Sequence, residues 1–389
     1  KELSYLIKKT LLKDLKNSIK KILIAHSSND NYGASKVLIS TIDIFIKNGY
    51  DIHLLLPNKG PLNNNEIIKR TNLKIINLGV FRKKYFNIFG LINRLYFIIK
   101  SSLYIKSFLE KNQIDLVYTN TSTVISPSIA AKLVGKPSIH HIHEIPDTNY
   151  IYAKFVTTFL NNFSRNIICV SNSVTDFWIK AGLKKVKINT IPNGFNYKKI
   201  KQKNLNEKKI IFTSVSRIIP YKGHELLIRL FDVLCKKNNK IHLQIVGDTL
   251  NHYEKYLCKL KLNIKNRGLD DRITFMGFRK DITPILTKSN FFIHTPVSPD
   301  PFPTVIFEAI QSGTPVITNN LGGAYEILNN GKNGLIIENN LIQNSAEIIL
   351  DYINKQRLQE ENVKLAFDYV CKKFSFKEFR KKILNTIGE

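Results

Sequence analysis

The sequence predicts an α/β chain made of two consecutive domains, each a parallel sheet carrying helices on its faces. Three observations predict it. Short apolar runs alternate with segments of helical periodicity along most of the chain, and that alternation favours parallel strands. The chain has 389 residues, long for one hydrophobic core, and two domains of roughly 180–200 residues each is the ordinary division. Turn-forming and polar residues collect just after the strands, which is where open α/β sheets bind ligands.

In chain order, 22–25 reads as a strand and 26–33 as a polar loop. A helix over 34–47 follows, its apolar positions at Val37, Leu38, Thr41, Ile42 and Phe45, stopped by Asn48 and Gly49. Residues 51–56 form the next strand, ended by Pro57. Segment 85–109 is apolar and aromatic, preceded by Arg82, Lys83 and Lys84 and punctuated by Arg94, Lys100 and Lys106. Such a helix can lie in a bilayer interface or can pack its apolar side on the sheet. Strands at 116–119, 138–141, 166–170 and 187–191 complete the first domain, with helices at 127–133 and 174–180. Ser171, Asn172 and Ser173 supply an N-cap for the second of these. Pro192, Asn193 and Gly194 make a turn, and the charged, aperiodic run 197–209 reads as the interdomain linker.

A second series begins with the strand 210–216 and the helix 224–236. Strands at 242–246, 273–275 and 291–294 alternate with helices at 253–265 and 282–288. Charged, helical 344–374 closes this domain. The division is therefore 1–20, a basic amphipathic helix without the features of a signal peptide; 21–200; 201–374; and a last helix at 375–389, whose packing back on the first domain stays open.

Apolar residues make up 43% of the chain and charged residues 23%, ordinary globular values that exclude disorder. Four widely spaced cysteines with no CxxC argue against a zinc knuckle or a disulfide scaffold, and suit a reducing cytosol. The net charge of +29 is unusual and uneven. Residues 1–100 carry 18 Lys/Arg against 6 Asp/Glu, a balance of +12, whereas 301–350 carry 1 against 4, a balance of −3. An anionic membrane surface, nucleic acid, or lysine-rich compositional drift would each account for the excess.

Candidate chemistry is densest over 299–326, PDPFPTVIFEAIQSGTPVITNNLGGAYE. Asp300 opens it, Thr304 and Val305 lead into a helix over 305–310, and Glu308 follows eight residues after Asp300. A strand at 315–318 and a second loop at Gly322 and Gly323 come next, then a helix at 324–328. Two helix N-termini thus open at one end of a sheet, where free amides and partial positive charge suit phosphate. The carboxylates would accept from sugar hydroxyls. An ordinary buried β-α unit with two surface acids fits the same pattern. Upstream, Arg217 and Lys222 span a strand-to-helix loop, a fork and a point charge suited to a diphosphate. His140, His141 and His143 invite a metal, but strand alternation divides them between two faces and no further ligand is evident. No metal is expected; a strand-end imidazole is better placed to meet a sugar hydroxyl. No Asp-x-Asp occurs, so the cations would offset leaving-group charge.

Through these residues the sequence resembles the retaining glycosyltransferases of family 4, the glycosyl transferases group 1, which have the GT-B fold of two Rossmann-like domains facing a central cleft. The resemblance runs from Lys21 onward. It rests on Asp300 to Glu308 with EAIQSGTPVI, on SRIIPYKG at 216–223 and on IVGD at 245–248. ITFMGF, VSNSV, IPNGF and YGASKVL add support. It implies that Arg217 and Lys222 bind the donor diphosphate and that Glu308 holds the ribose. Asp300 and the backbone through Thr304 and Val305 would face the donor sugar, with Gly277 and Phe278 bordering the base. It further implies that His143 stands beside the reacting sugar, with Gly33, Glu144, Asn193, Gly322 and Gly323 lining the cleft. The chain departs from the family at Asp300, where Glu is usual, at Pro301 and Pro303, where glycine is common, and at Ser216, which replaces a frequent glycine before Arg217.

The expected activity is transfer of a hexosyl unit from a UDP- or GDP-sugar, with retention and without cofactor or metal. The acceptor would be a glycan or a lipid-linked molecule, in cell-surface polysaccharide, lipopolysaccharide or glycolipid synthesis. The enzyme would work from the cytoplasm as a peripheral protein on the anionic inner membrane face. A different class competes: a non-catalytic basic protein on anionic membrane or nucleic acid. No helix-turn-helix or stacking platform is present, so no specific nucleic acid is expected. A third reading keeps the fold and changes the reaction to epimerisation or phosphorolysis.

Overall fold

The computed structural model describes residues 19–30, 32–81, 85, 87–146, 150–198, 200, 205, 208–249 and 253–388. The basic helix expected at 1–20 therefore lies almost wholly outside the described residues, as do Arg82, Lys83 and Lys84. The chain divides into two compact units, 1–194 with 376–389, and 195–375.

In the first unit, strands β1 (Lys21–Ala25), β2 (Asp51–Leu56), β3 (Asn72–Ile75), β4 (Leu116–Thr119), β5 (Ser138–Ile142), β6 (Asn166–Cys169) and β7 (Ile188–Thr190) form one sheet. Its order is β3-β2-β1-β4-β5-β6-β7, with every pairing parallel. Ile24 lies opposite Leu54 on one side and Tyr118 on the other. The helices are α1 (Gly33–Lys47), α2 (Ile88–Asn112), α3 (Ser126–Leu133), α4 (Tyr150–Phe163) and α5 (Asn172–Lys180). Successive side chains of a strand face opposite ways, and β1 is apolar on both faces. Ile22 and Ile24 join one core with Leu38, Ile42 and Phe45 of α1. Leu23 and Ala25 join another with Ile105, Phe108 and Leu109 of α2. Burial on both faces is what a parallel sheet covered by helices requires.

In the second unit, β8 (Ile210–Val215), β9 (Ile241–Val246), β10 (Ile273–Gly277), β11 (Phe291–His294), β12 (Val316–Asn319) and β13 (Leu335–Ile337) form a sheet of order β10-β9-β8-β11-β12-β13, again parallel. Helices α6 (His224–Lys237), α7 (Glu254–Asn266), α8 (Thr283–Leu286), α9 (Thr304–Gln311), α10 (Gly323–Ile327), α11 (Ile342–Ile353) and α12 (Gln356–Lys373) join and cover it. Both sheets run 3-2-1-4 onward in their own strand numbers. The order therefore reverses between β1 and β4 in one and between β8 and β11 in the other, and ligands of doubly wound sheets lodge at that reversal.

Elements the pattern did not disclose have physical reasons. Strand β3 is an edge of four residues, Asn-Leu-Lys-Ile, mostly exposed, and β13 has three; neither is long enough to show a period. Helix α4, by contrast, carries Ala153, Val156, Thr157 and Leu160 on one buried face, a helical period that was present in the sequence. The charged segment 344–374 is two helices parted at Asn354 and Lys355.

A last helix, α13 (Phe376–Gly388), belongs to the first unit. Phe379, Ile383 and Ile387 sit in the same core as Ile22 and Phe45. Asn166 Nδ2 donates to Thr386 O at 3.5 Å and Arg380 to Asn48 Oδ1 at 3.2 Å. Phe195, expected in the first domain, opens the second unit, where it stacks on Phe307 at 4.3 Å and its amide donates to Phe374 O at 3.0 Å.

Phe379→Ala should lower the stability of the first unit by about 3–5 kcal/mol, as truncation of a buried aromatic does. The chain has one tryptophan, Trp178, buried in that unit, so urea unfolding followed by tryptophan fluorescence reads this directly. An unchanged midpoint would show that α13 does not hold the unit together.

Candidate active site

In the second unit, polar groups converge where the strand order reverses. The loop after β8 brings Lys222, and the ends of β11 and the loop beyond it bring His294 and Asp300. Lys222 Nζ is ion-paired with Asp300 Oδ2, and His294 Nε2 lies 3.3 Å from the same oxygen. The side chains of Lys222 and Asp300 are only 15% and 10% exposed, and His294 is buried. Burial alone would push the Asp300 carboxyl upward, but the Lys222 ammonium and His294 outweigh it and hold Asp300 well below the carboxylate range. Burial also lowers His294, so its imidazole stays neutral despite Asp300.

Close backbone approach makes this possible. At Gly223, with φ +78°, an added Cβ would meet Thr295 O at 1.9 Å. Beside it Tyr221 O accepts from Val297 N at 3.0 Å. At Gly247 a Cβ would strike Ser216 O at 1.9 Å, and the Gly247 amide donates to Gly277 O at 3.0 Å. The loop of Arg217 is thereby pressed between the ends of β9 and β11. Arg217 itself is half-buried. Gly277 ends β10 and Phe278 beyond it is 66% exposed.

The remaining residues of this unit divide in two. Thr304 and Val305 form the first turn of α9, whose leading amides have no intrahelical acceptor. Glu308 lies one turn on, over Thr304. Gly322 and Gly323, read from sequence as an anion loop, also make a close backbone contact. A Cβ at Gly322 would meet Asp300 O at 2.1 Å, one at Gly323 would meet Pro301 O at 2.4 Å, and the Gly323 amide donates to Asp300 O at 2.8 Å. The glycine pair thus seats the Asp300 loop, with one amide already occupied. The Asp300 carboxylate turns to Lys222 and His294, two groups that sequence reasoning did not assign to it.

In the first unit, the ends of β1, β4 and β5 carry a polar ladder. His26 Nδ1 lies 3.0 Å from Asn120 O, and His143 Nε2 lies 2.9 Å from Asn120 Oδ1, a distance at which the imidazole N–H donates to the amide oxygen. His26 Nε2 continues to Ser35 Oγ at 3.2 Å, and that hydroxyl donates to Asp30 at 2.8 Å. The rings of His141 and His143 are 4.1 Å apart, on one face of β5, whereas His140 Nδ1 meets Ser164 Oγ at 2.8 Å. Burial holds His143 well below the usual imidazole range, with His141 and His26 adding to the effect. Glu144 accepts from Thr121 Oγ1 at 2.6 Å, Ser122 N and Oγ at 3.2 Å each, and the His143 amide at 3.1 Å. Its carboxyl is still raised, because burial exceeds those hydrogen bonds. Glu144 is therefore a bracket tying the end of β4 to that of β5. A Cβ at Gly33 would meet nothing within 4 Å, so packing within the unit does not demand glycine there. Asn193 is buried, its Oδ1 without a hydrogen-bond partner among the described residues.

Sequence reasoning missed His26, Asn120 and His294. Each follows an apolar strand directly or ends one, and a polar residue at the carboxyl end of a parallel strand is the signal that would have found it.

Two family models match the chain in succession: Glycosyltransferase Family 4 over residues 32–199 and Glycosyl transferases group 1 over 196–366. The chain is 27% identical over 356 residues to the UDP-Gal:alpha-D-GlcNAc-diphosphoundecaprenol alpha-1,3-galactosyltransferase of Escherichia coli, covering 84% of this chain and 86% of that one. It is 24% identical over 244 residues to the phosphatidylinositol N-acetylglucosaminyltransferase GPI3 subunit of Saccharomyces cerevisiae, a match spanning 58% of this chain and about half, 52%, of that one. Among solved structures, Anabaena HepE in complex with UDP and glucose superposes with a TM-score of 0.78 at 23% identity, covering 95% of this chain and 100% of that one.

The buried imidazoles give a pH test. Burial lowers His140 to about 4 and His141 to about 3. An unfolded chain takes up these protons near 6.5, so it binds more protons than the folded one below that pH. Stability should be full above about pH 6.5 and fall as pH drops toward 4, by roughly 1.4 kcal/mol per pH unit for each such ring. Urea midpoints of the first unit from pH 7.5 to 5 check this, and His140→Gln should flatten the slope. A pH-independent midpoint would contradict the neutral, buried assignment.

Proposed function

Because this chain belongs to the family-4, group-1 glycosyltransferases and has their GT-B fold, we propose that it moves a hexosyl unit from a UDP- or GDP-sugar to a glycan or lipid-linked acceptor. The observation that carries this reading is the buried Lys222–Asp300 pair at the strand-order reversal of the second sheet. A cation held nearly dry at that position is worth most against a charge that develops during reaction, because little water screens it.

On this reading the donor diphosphate takes the place of Asp300 on Lys222, with Arg217 as a second cation on the same loop. Asp300 keeps His294 and turns toward the sugar with the first-turn amides of Thr304 and Val305. Glu308 holds the ribose hydroxyls, and Gly277 with Phe278 borders the base. As the glycosidic bond to phosphate breaks, negative charge gathers on the leaving diphosphate, and Lys222 and Arg217 stabilise it without a metal or other cofactor. The acceptor hydroxyl then attacks the anomeric carbon from the face the diphosphate leaves, giving its proton to the departing phosphate oxygen, and transfer proceeds with retention. In the first unit His143, fixed through Asn120, is a neutral donor suited to a sugar hydroxyl, and Gly33, Glu144 and Asn193 shape that unit's surface around it. Among the relatives, one acts on a diphosphoundecaprenol and another on phosphatidylinositol. Those names support a lipid-linked acceptor; on this reading the product enters polysaccharide, lipopolysaccharide or glycolipid synthesis and the enzyme is peripheral on the cytoplasmic face of the membrane.

A thermal-shift screen of nucleotide sugars should find one donor that stabilises the protein, since stabilisation follows occupancy. With that donor, Lys222→Ala should lower turnover by roughly a hundredfold or more, as loss of a group stabilising developing charge does. Glu308→Ala should chiefly raise the donor KM. If no nucleotide sugar binds, or Lys222→Ala turns over normally, the reading fails.

A further inference from the structure

Helix α2 has two apolar faces, and among the described residues one of them is packed within the first unit. Ile98, Ser101, Ile105, Phe108 and Leu109 are buried within the first unit, and Ser102 Oγ donates to Ser126 O of α3 at 3.3 Å. Arg94 belongs to this inner face too, its guanidinium 4.1 Å from the ring centroid of Tyr85. Facing away from them is a stripe at spacing i, i+4, i+7, i+11, i+15: Ile88, Ile92, Leu95, Ile99 and Leu103, which are 53–70% exposed. Phe89 beside it is 81% exposed. Five large aliphatic side chains are aligned and exposed over four turns, and a contiguous apolar patch of this kind, rimmed by polar residues, marks an interaction site.

We infer that this outer face of α2 is a membrane-docking surface that lies in the headgroup region of a bilayer rich in anionic lipid. Charge selects that occupant. Residues 81–112 carry seven Lys/Arg against one Glu, a balance of +6, within a chain of +29. A second copy of the same face would bring two such balances together, and nucleic acid would leave the apolar stripe in water. A basic helix with an aromatic-aliphatic face gains from both an acyl boundary and anionic headgroups. Lys100 and Lys106 stand at the edge and far end of the stripe, where their stems lie along apolar surface while their charges reach headgroups. Although α2 is long and apolar enough to cross a membrane, its inner face carries Arg94 and two serines and is packed on its own domain. It therefore lies on the bilayer and does not span it. The docking surface adds to the transfer reaction proposed above and rests on it only for which side of the membrane is involved.

Full-length protein should co-sediment with vesicles of phosphatidylcholine and phosphatidylglycerol, and far less with phosphatidylcholine alone. The triple variant Ile92→Gln, Leu95→Gln, Ile99→Gln changes exposed positions only and should weaken that binding by roughly tenfold or more, since interfacial binding scales with buried apolar area. Its hydrolysis of the donor in free solution should stay at the wild-type rate, which separates failure of docking from failure of the enzymatic reading. Lys100→Glu with Lys106→Glu should lose the preference for anionic vesicles. A Phe89→Trp variant should shift its emission to the blue on vesicles. The inference is overturned if the triple variant binds like wild type, if the emission of the Phe89→Trp variant is unmoved in sedimented protein, or if neutral vesicles bind equally well. It is also overturned if wild type forms oligomers in solution that the triple variant abolishes.

Discussion

A lysine and an aspartate removed from water at the reversal point of a sheet are the constraint on which the second unit is built. Taking both charges out of solvent is costly, and the pair persists only because its geometry is enforced from several sides. Glycine at 223 lets the Lys222 loop lie against Thr295, and glycine at 322 and 323 lets the Asp300 loop lie against the start of α10. His294 closes the arrangement as a neutral ring beside the carboxylate. Such a pair is weak evidence for stability in itself. Its meaning is that a cation is kept poised and dry, with an internal anion as its resting partner.

The first unit applies the same topology to different chemistry. Its strand ends carry imidazoles and amides in place of a charge pair, and the ladder from Asp30 through Ser35 and His26 to the Asn120 side chain, whose Nδ2 donates to His26 Nδ1 at 3.2 Å and whose Oδ1 accepts from His143, fixes the orientation of the last ring. Burial keeps these imidazoles neutral. One unit thus holds fixed charge and the other holds oriented dipoles, a division that suits a reaction in which a charged leaving group separates from a neutral sugar.

Much of this was legible before any coordinates. The strands 51–56, 116–119 and 291–294 stand where apolar runs end at Pro57, Asn120 and His294, because two-sided burial forces continuous apolar stretches. Asp300, Lys222 and His143 stand out because they follow strands and are of types that bind phosphate or sugar. What could not be read was who would pair with whom. Sequence spacing gives no distance between Lys222 and Asp300, 78 positions apart, so each received a separate role and their mutual contact came only with the fold. The close contact of Gly322 and Gly323 with the Asp300 loop was hidden for a related reason, since glycine serves close packing and anion binding alike. The outer face of α2 was ambiguous because its inner face is also apolar, and periodicity cannot show which of two faces is covered.

The central claim, that the donor diphosphate displaces Asp300 from Lys222, is tested most directly by calorimetric titration of UDP and GDP into wild type and Asp300→Asn, with folding verified by circular dichroism. If an internal carboxylate must leave before the nucleotide enters, its removal should tighten binding of the favoured nucleotide, by roughly tenfold. Binding that is unchanged or weakened in folded Asp300→Asn would contradict the exchange and with it the role given to the buried pair.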